Sequence, residues 1–266
     1  MNLNGKTILI TRAEHQANDL AGMIKKNGGS AVTFPTIQIK APGSWAGCDA
    51  ACAQIASYHG IIFTSVNALE FFIKRYLSLN HPVQSLQEKT IFAVGDKTRQ
   101  ALNKHSIKVN LIPDKFTAEE LAKTLTEEMI AGKLFLFPRG NLGKNTLVDH
   151  IISLKGEIQP VIVYITQKAE RRNVEQIRQM LQRGKIDFIT FTSPSTAKNF
   201  FELITDFSLV QKKVKLAVIG PVTASAIEKL GYKVDITAKN STIESMIEEI
   251  KEYIALSSIE SIINNQ

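Results

Sequence analysis

The chain has 266 residues, 44% of them hydrophobic and 21% charged, with a formal net charge of +7. That length suits one large domain or two of ordinary size, and the composition excludes a disordered chain. Apolar runs such as LFLF and VIVYI are far too short to cross a bilayer, and the start MNLNGKTILITR lacks the basic segment and long apolar core of a signal peptide.

These features predict a cytoplasmic protein with no membrane partner. Cys48 and Cys52, four residues apart in CDAAC, are the only cysteines. Without histidines at ligand spacing they make no zinc site, and they read as structural thiols of a reducing compartment. The positive balance favours anionic partners in general. Nucleic acid is not expected, because the Lys and Arg residues are dispersed. Their densest cluster, QKAERRNVEQIRQMLQRGK from Gln167 to Lys185, reads as the solvated face of a helix. A small polyanion fits the charge at least as well.

In chain order, KTILITR is an apolar, β-branched run that predicts a buried strand. The next segment, AEHQANDLAGMIKKNGG, predicts a helix through Leu20, Met23 and Ile24, ended by Gly28 and Gly29. SAVTFP follows as a strand, completing a βαβ unit with parallel strands. FPTIQIKAPGSW then runs extended past its proline into a polar stretch. GIIFTSVNALEFF reads as strand, Ser/Asn-rich turn and helix, and IFAVGDKTRQALNKHSIKV as another strand and helix. DKFTAEELAKTL adds a helix. KLFLFPRGNLGKNTLVDHIISLKGEIQPVIVY repeats the opening pattern: strand, loop with Arg139, helix ending at Gly156, strand.

From here the chain restates itself. Arg12 aligns with Arg139 at an offset of 127, and Phe63 with Phe191 at 128. Gly95 and Thr98 align with Gly220 and Thr223, and Thr117 with Thr242, all at 125. Four blocks in one order at a nearly constant offset describe a duplicated domain; solenoid repeats are far shorter, about 20–50 residues. Each copy alternates strands and helices, which predicts an α/β fold of two similar doubly wound parallel sheets. FPTIQIKAPGSW and PVIVYITQKAE fall where block sets change, so they predict crossings between the two. Ligands of such sheets sit beyond the carboxyl ends of the strands. The loops there are ITRAE, FTSVNA, AVGDKT, FPRGN, FTSPST and VIGPVT. All open helices, whose unpaired N–H groups and partial positive charge suit anions.

Several motifs fail on spacing. GNLGKNT has two residues between Gly140 and Gly143, and Asn145 after Lys144, where a phosphate loop needs four residues and then Ser or Thr. It reads as a polar helix start. No dinucleotide fingerprint, nucleophile elbow or histidine ligand spacing appears, so no nucleotide cofactor and no metal are expected. Ser65 and Ser193 follow strands and read first as helix caps whose hydroxyls also touch a ligand. Thr98 and Thr223, three residues after a strand-end glycine, read either as helix-start caps or as hydroxyls offered to a ligand. Tyr164 reads as a core strand residue or as a phenol able to donate a proton. Arg12 and Arg139 read as anion-facing or salt-bridged.

In that order, ILITR, IIFTSVNALEFF, AVGDKT, FITFTSPSTAKNF and AVIGPVTASAIEKLG resemble the uroporphyrinogen-III synthase family over about residues 6–250. The chain departs from it at Thr11-Arg12-Ala13, where many members carry a proline third, and its tail ALSSIESIINNQ lies beyond the match. The resemblance implies two HemD-like lobes of flavodoxin-like topology, interleaved along the chain, joined by a two-stranded linker and facing one cleft. Lobe one would comprise residues 1–36 and 167–266, lobe two 41–160, and the linkers 37–40 and 161–166. It implies cofactor-free closure of a linear tetrapyrrole polycarboxylate, hydroxymethylbilane, with inversion of the last ring and loss of water. Tyr164 would assist departure of the hydroxyl. Thr11, Arg12, Ser65, Asn67, Thr98, Arg139, Ser193, Ser195 and Thr223 would contact the substrate. The expectation is a cytoplasmic monomer that meets the preceding pathway enzyme transiently. The competing reading is a two-lobed cytoplasmic sensor of small anions.

Overall fold

A computed structural model of the chain describes residues 2–170, 173–209 and 211–263. It opens with β1 (Thr7–Ile10), α1 (Glu14–Lys26), β2 (Ser30–Thr33), β3 (Ile37–Lys40) and α2 (Ala46–Ala53). Next come β4 (Gly60–Phe63), α3 (Val66–Ser78), α4 (Gln84–Gln87), β5 (Thr90–Ala93), α5 (Asp96–Asn103), α6 (Ala118–Thr124) and α7 (Glu127–Ile130). The middle holds β6 (Leu134–Gly140), α8 (Thr146–Ser153), β7 (Glu157–Lys168) and α9 (Val174–Gln182). The chain closes with β8 (Phe188–Phe191), α10 (Pro194–Leu203), β9 (Lys215–Val218), α11 (Pro221–Glu228), β10 (Ile236–Thr237) and α12 (Ile243–Ile263). The fold is α/β throughout.

The chain divides into two compact units, Met1–Gln38 with Gln167–Gln266, and Ile39–Thr166. The division falls inside β3 and inside β7.

The first unit is built on the sheet β2-β1-β8-β9-β10, with parallel pairing throughout. FITF of β8 is buried at every residue, as a central strand covered on both faces requires. Helix α1 buries Ala17, Leu20 and Ile24 on one stripe and stops where Gly28 takes positive φ. One face of the sheet carries Phe191, Phe200, Phe201 and Phe207 in aromatic contact, with ring centroids 5.2 to 5.7 Å apart. The other face is covered by α1 and by Met246, Ile247, Ile250 and Ile254 of α12.

The second unit is built on the sheet β3-β7-β6-β4-β5. An isolated parallel bridge, Phe92 to Leu111, extends it past β5. With Leu111 in the place of β10, this order repeats that of the first sheet, and β3 is the one addition. The register repeats as well. Ile8 faces Phe188 in the first unit, and Phe135 faces Gly60 in the second. Large and small have changed sides: a Cβ on Gly60 would meet the Phe135 ring at 2.8 Å. Each pair keeps one phenylalanine, on opposite strands in the two units, and the Phe135 ring fills the space that a side chain on Gly60 would take. Side-chain bonds to the backbone recur too. Asn110 accepts from the Ile91 amide at 2.7 Å, and Asp235 from the Leu216 amide at 3.0 Å, residues 125 apart in each case.

One expectation is corrected. The cluster Gln167–Lys185 is not a single helix. Gln167 and Lys168 finish β7, Arg171 and Arg172 lie outside the described residues, and α9 begins at Val174 behind Asn173, whose φ is 58°. Gln167 and Lys168 are both exposed, carried in extended form at the end of the strand. The tail runs on as the end of α12 to Ile263.

Candidate functional site

Within each unit the candidate residues gather at the carboxyl edge of adjacent parallel strands. In the first unit these are Thr11 and Arg12 after β1, Ser193 and Ser195 after β8, and Thr223 after β9. In the second they are Ser65 and Asn67 after β4, Thr98 after β5, Arg139 on β6, and Tyr164 on β7. Here the strands end and helix N-termini begin, with their unsatisfied N–H groups.

The serines cap helices. Ser65 accepts from the Ala68 amide at 3.1 Å. Ser193 closes a capping box with Thr196 on α10, and its hydroxyl lies 3.0 Å from that of Ser195. The Ser65 and Ser193 hydroxyls thus each satisfy an orphan donor, worth typically about 1 kcal/mol. Asn67 is half-buried in the first turn of α3.

The threonines of the repeat behave differently. The N-cap of α5 is Gly95 and that of α11 is Gly220, and neither helix has a side-chain cap. Thr98 and Thr223 occupy the third helical position and are buried at 2% and 3% exposure. Neither hydroxyl makes a hydrogen bond among the described residues. So the two threonines are not caps, and each copy presents an uncapped helix start beside an unspent hydroxyl. The next loop crosses each glycine at equivalent places. A Cβ on Gly95 would meet Phe116, and one on Gly220 would come within 2.8 Å of the Ser241 hydroxyl. Asp96, paired with Arg99 at 2.6 Å, adds a carboxylate to the α5 turn that α11 lacks.

Thr11 spends its hydroxyl inside the protein. It is fully buried and donates to the Thr190 carbonyl at 2.8 Å, while Thr190 donates to the Leu9 carbonyl. Thr36 and Asn199 continue this network, with Asn199 donating to the Thr36 carbonyl at 3.0 Å. The cluster fastens the carboxyl ends of β1 and β8 to the chain after β2.

The arginines are half-spent. Arg12 reaches Gln16 at 3.3 Å. Arg139, 7% exposed, donates to Asn145 and to the Lys144 carbonyl, each at 3.0 Å, and lies over the Phe137 ring. It therefore clamps its own loop. In both arginines the Nε is buried without a hydrogen-bond partner among the described residues. Burial lowers the pKa of both guanidiniums. For Arg12, Asp19 and Glu244 oppose the shift; for Arg139, the Tyr164 phenol does. Both remain cationic at any working pH.

Tyr164 is half-buried. Its ring packs on Phe71, centroids 5.9 Å apart, and its hydroxyl makes no hydrogen bond among the described residues. A free phenol at a sheet edge can donate a proton or a hydrogen bond.

Other features escape sequence reading. A groove of about 520 Å³ lies between the start of α10 and the length of α11, lined by Pro194, Pro221, Val222, Ser225, Ala226 and Lys229. Val222 is 74% exposed there, an apolar side chain beside the unspent Thr223. Lys229 makes no ion pair among the described residues, and Lys104 holds the equivalent place 125 residues earlier. The repeat alignment could have singled out this pair. Cys48 and Cys52 are free and buried, sulfurs 3.9 Å apart. Sharing one hydrogen bond raises the pKa of the Cys48 thiol and lowers that of Cys52. Among the described residues no three His, Cys, Asp or Glu side chains are grouped to hold a metal, and no helix is long and apolar enough to cross a membrane.

Residues 18–248 match the family model described as uroporphyrinogen-III synthase HemD. The chain is 37% identical to the uroporphyrinogen-III synthase of Chlorobaculum parvum over 87% of its own length and 92% of that protein. It is 29% identical to that of Synechococcus elongatus, covering 94% and 96%. Among solved structures, a mutant uroporphyrinogen III synthase from the extremely thermophilic bacterium Thermus thermophilus superposes with a TM-score of 0.66 at 16% identity, covering 94% of this chain and 99% of that one. The Helicobacter pylori enzyme does so with 0.64 at 19%, covering 95% and 99%.

Proposed function

The chain belongs to the uroporphyrinogen-III synthase family, and from that premise we propose that it cyclises hydroxymethylbilane to uroporphyrinogen III, inverting the last pyrrole ring and losing water. This is a cyclising lyase reaction of tetrapyrrole biosynthesis. The observation that carries the binding half of the reading is the pair of uncapped helix starts at Gly95–Thr98 and Gly220–Thr223, each with a largely buried threonine whose hydroxyl has no partner among the described residues. A substrate bearing eight carboxylates needs donors that are not already committed. Amides at a helix start carry partial positive charge and point outward; α5 offers those of Asp96, Lys97 and Thr98, whereas in α11 Pro221 has no N–H and the Thr223 amide donates to the Gly220 carbonyl at 3.1 Å, leaving that of Val222. Lys104 and Lys229, each six residues past the threonine, supply full charges nearby in sequence, and Arg12 adds another at the end of β1.

In this reading Tyr164 is the group that assists the leaving hydroxyl. Its phenol protonates or hydrogen-bonds that oxygen, the C–O bond breaks, and water departs. The electrophile left behind is an azafulvenium-like cation. The substituted carbon of the last ring attacks it, and a spiro species then rearranges to the inverted macrocycle. The chain's part is chiefly to hold the bilane so that this carbon, and not the free one, lies in reach. Orientation alone supplies about 7–11 kcal/mol in favourable cases. Ser65 and Asn67 add polar groups at the strand ends of the second unit, and Ser193 and Ser195 at those of the first. A reducing, cytoplasmic setting belongs to the same reading and is supported by the two free thiols.

The test is to incubate the purified protein with freshly made hydroxymethylbilane and resolve the porphyrin isomers after oxidation. The type III isomer is expected. The type I isomer alone would defeat the proposal.

A further inference from the structure

The loop GNLGKNT fails as a phosphate loop, yet it keeps two glycines that backbone conformation does not require. Neither Gly140 nor Gly143 has positive φ. Both are needed for space. A Cβ on Gly140 would lie 2.5 Å from Cζ of Tyr164, 2.6 Å from Cε2 and 2.8 Å from the phenol oxygen. A Cβ on Gly143 would lie 2.5 Å from Nη2 of Arg139 and 2.9 Å from its Nε. Real side chains do not approach so closely, so any residue but glycine would push the ring or the guanidinium away.

A second observation concerns register. Along β6 and β7 the pairing runs evenly to Arg139 opposite Ile162, then jumps to Gly140 opposite Tyr164. Val163 is the extra residue of a bulge, a device that re-aims the side chain beside it. Beyond the bulge, the Asn141 side chain accepts from the Thr166 amide at 2.8 Å and donates to its carbonyl at 3.3 Å. The loop is therefore stitched to β7 on the far side of Tyr164. Phe71 packs on the ring as well.

We propose that Gly140 is a positioning residue for Tyr164. Its missing side chain lets the phenol ring lie directly on the strand backbone, and the bulge and the Asn141 clasp fix that arrangement. The inference rests on the reading of Tyr164 given above and adds the residue that sets where its hydroxyl stands.

Two double-mutant cycles test it. The first measures kcat and KM for the wild type, Gly140→Ala, Tyr164→Phe and the double variant. Gly140→Ala should lower kcat several-fold, by no more than Tyr164→Phe does, with KM changed less than about twofold, as loss of a placed proton donor would. In the Tyr164→Phe background it should lower kcat no further, because no hydroxyl remains to misplace. Wild-type kcat in Gly140→Ala, or an equal loss in both backgrounds, would overturn the proposal. The second cycle measures melting and needs no activity. Gly140→Ala should lower Tm in the wild type but not in Tyr164→Ala, where the ring is absent. An undiminished loss there would show that the alanine collides with something else and would also overturn it. Full speed in Tyr164→Phe, with the melting cycle as expected, would instead remove Tyr164 from catalysis and leave the contact standing.

Discussion

Replacing Thr223 by valine separates a binding hydroxyl from a structural one. Thr223 is 3% exposed, and its hydroxyl has no partner among the described residues. Valine keeps the shape and removes a hydroxyl that bonds no protein group among the described residues, so stability should change by less than about 1 kcal/mol. A hydrogen bond to a charged group is worth about 1.5–3 kcal/mol, and each 1.36 kcal/mol is tenfold. If the hydroxyl meets a substrate carboxylate, kcat/KM for hydroxymethylbilane should fall about 10- to 150-fold. Thr11→Val is the contrasting control. Its hydroxyl is already bonded to the Thr190 carbonyl at 2.8 Å in a fully buried site. Its loss leaves that acceptor short of one donor and should cost about 1–3 kcal/mol of stability. The assay is initial rate at low substrate beside thermal melting. A Thr223→Val protein that melts several degrees lower and turns over normally would refute the reasoning.

Tyr164→Phe should slow kcat several-fold or more without lowering Tm, because the phenol has no hydrogen bond to lose; a wild-type rate would exclude it from the chemistry. Phe200→Ala removes the ring that touches Phe34, Phe191, Phe201 and Phe207. It should cost about 3–5 kcal/mol in denaturant unfolding, a large part of a typical total of about 5–15. Asp49 receives two bonds from Arg75, at 2.7 and 2.6 Å, which hold its carboxyl below the usual carboxylate range. A carboxylate depressed in the folded state stabilises above its unfolded pKa of about 3.9, and that stability is lost as pH falls through the folded value. Asp49→Asn should therefore melt lower near neutral pH, with the gap closing in acid; a gap unchanged down to about pH 2 would show that charge is not its cause.

Much of the fold was legible because the chain spells it twice. The buried runs TILI and FITF, the stop at Gly28 and Gly29, and the pairing of Gly95 with Gly220 required only apolar spacing and an internal offset. The strand-end threonines were found by the same comparison. What they do was not legible, since a threonine three residues past a glycine caps a helix in one protein and faces a ligand in another. Thr11 shows the opposite limit: nothing local says that its hydroxyl is spent on a carbonyl 179 residues away. Gly140 and Gly143 were read as loop residues because sequence shows dihedral permissiveness and not contact. Their reason is a ring 24 residues on and a guanidinium four residues back. The exchange of Gly60 and Phe135 for Phe188 and Ile8 is likewise visible only once the register is known. The cluster Gln167–Lys185 misled because its charges have helical spacing while its first two residues belong to a strand.

The direct test of the central claim, that the uncapped first turn of each copy binds carboxylates of a many-times-negative tetrapyrrole, is a titration of ¹⁵N-labelled protein with the product, uroporphyrinogen III, kept reduced. The account predicts saturable amide shifts at Asp96–Thr98 of α5 and at Val222 of α11. Binding that moves neither turn, or shifts spread over the surface lysines without saturation, would contradict it.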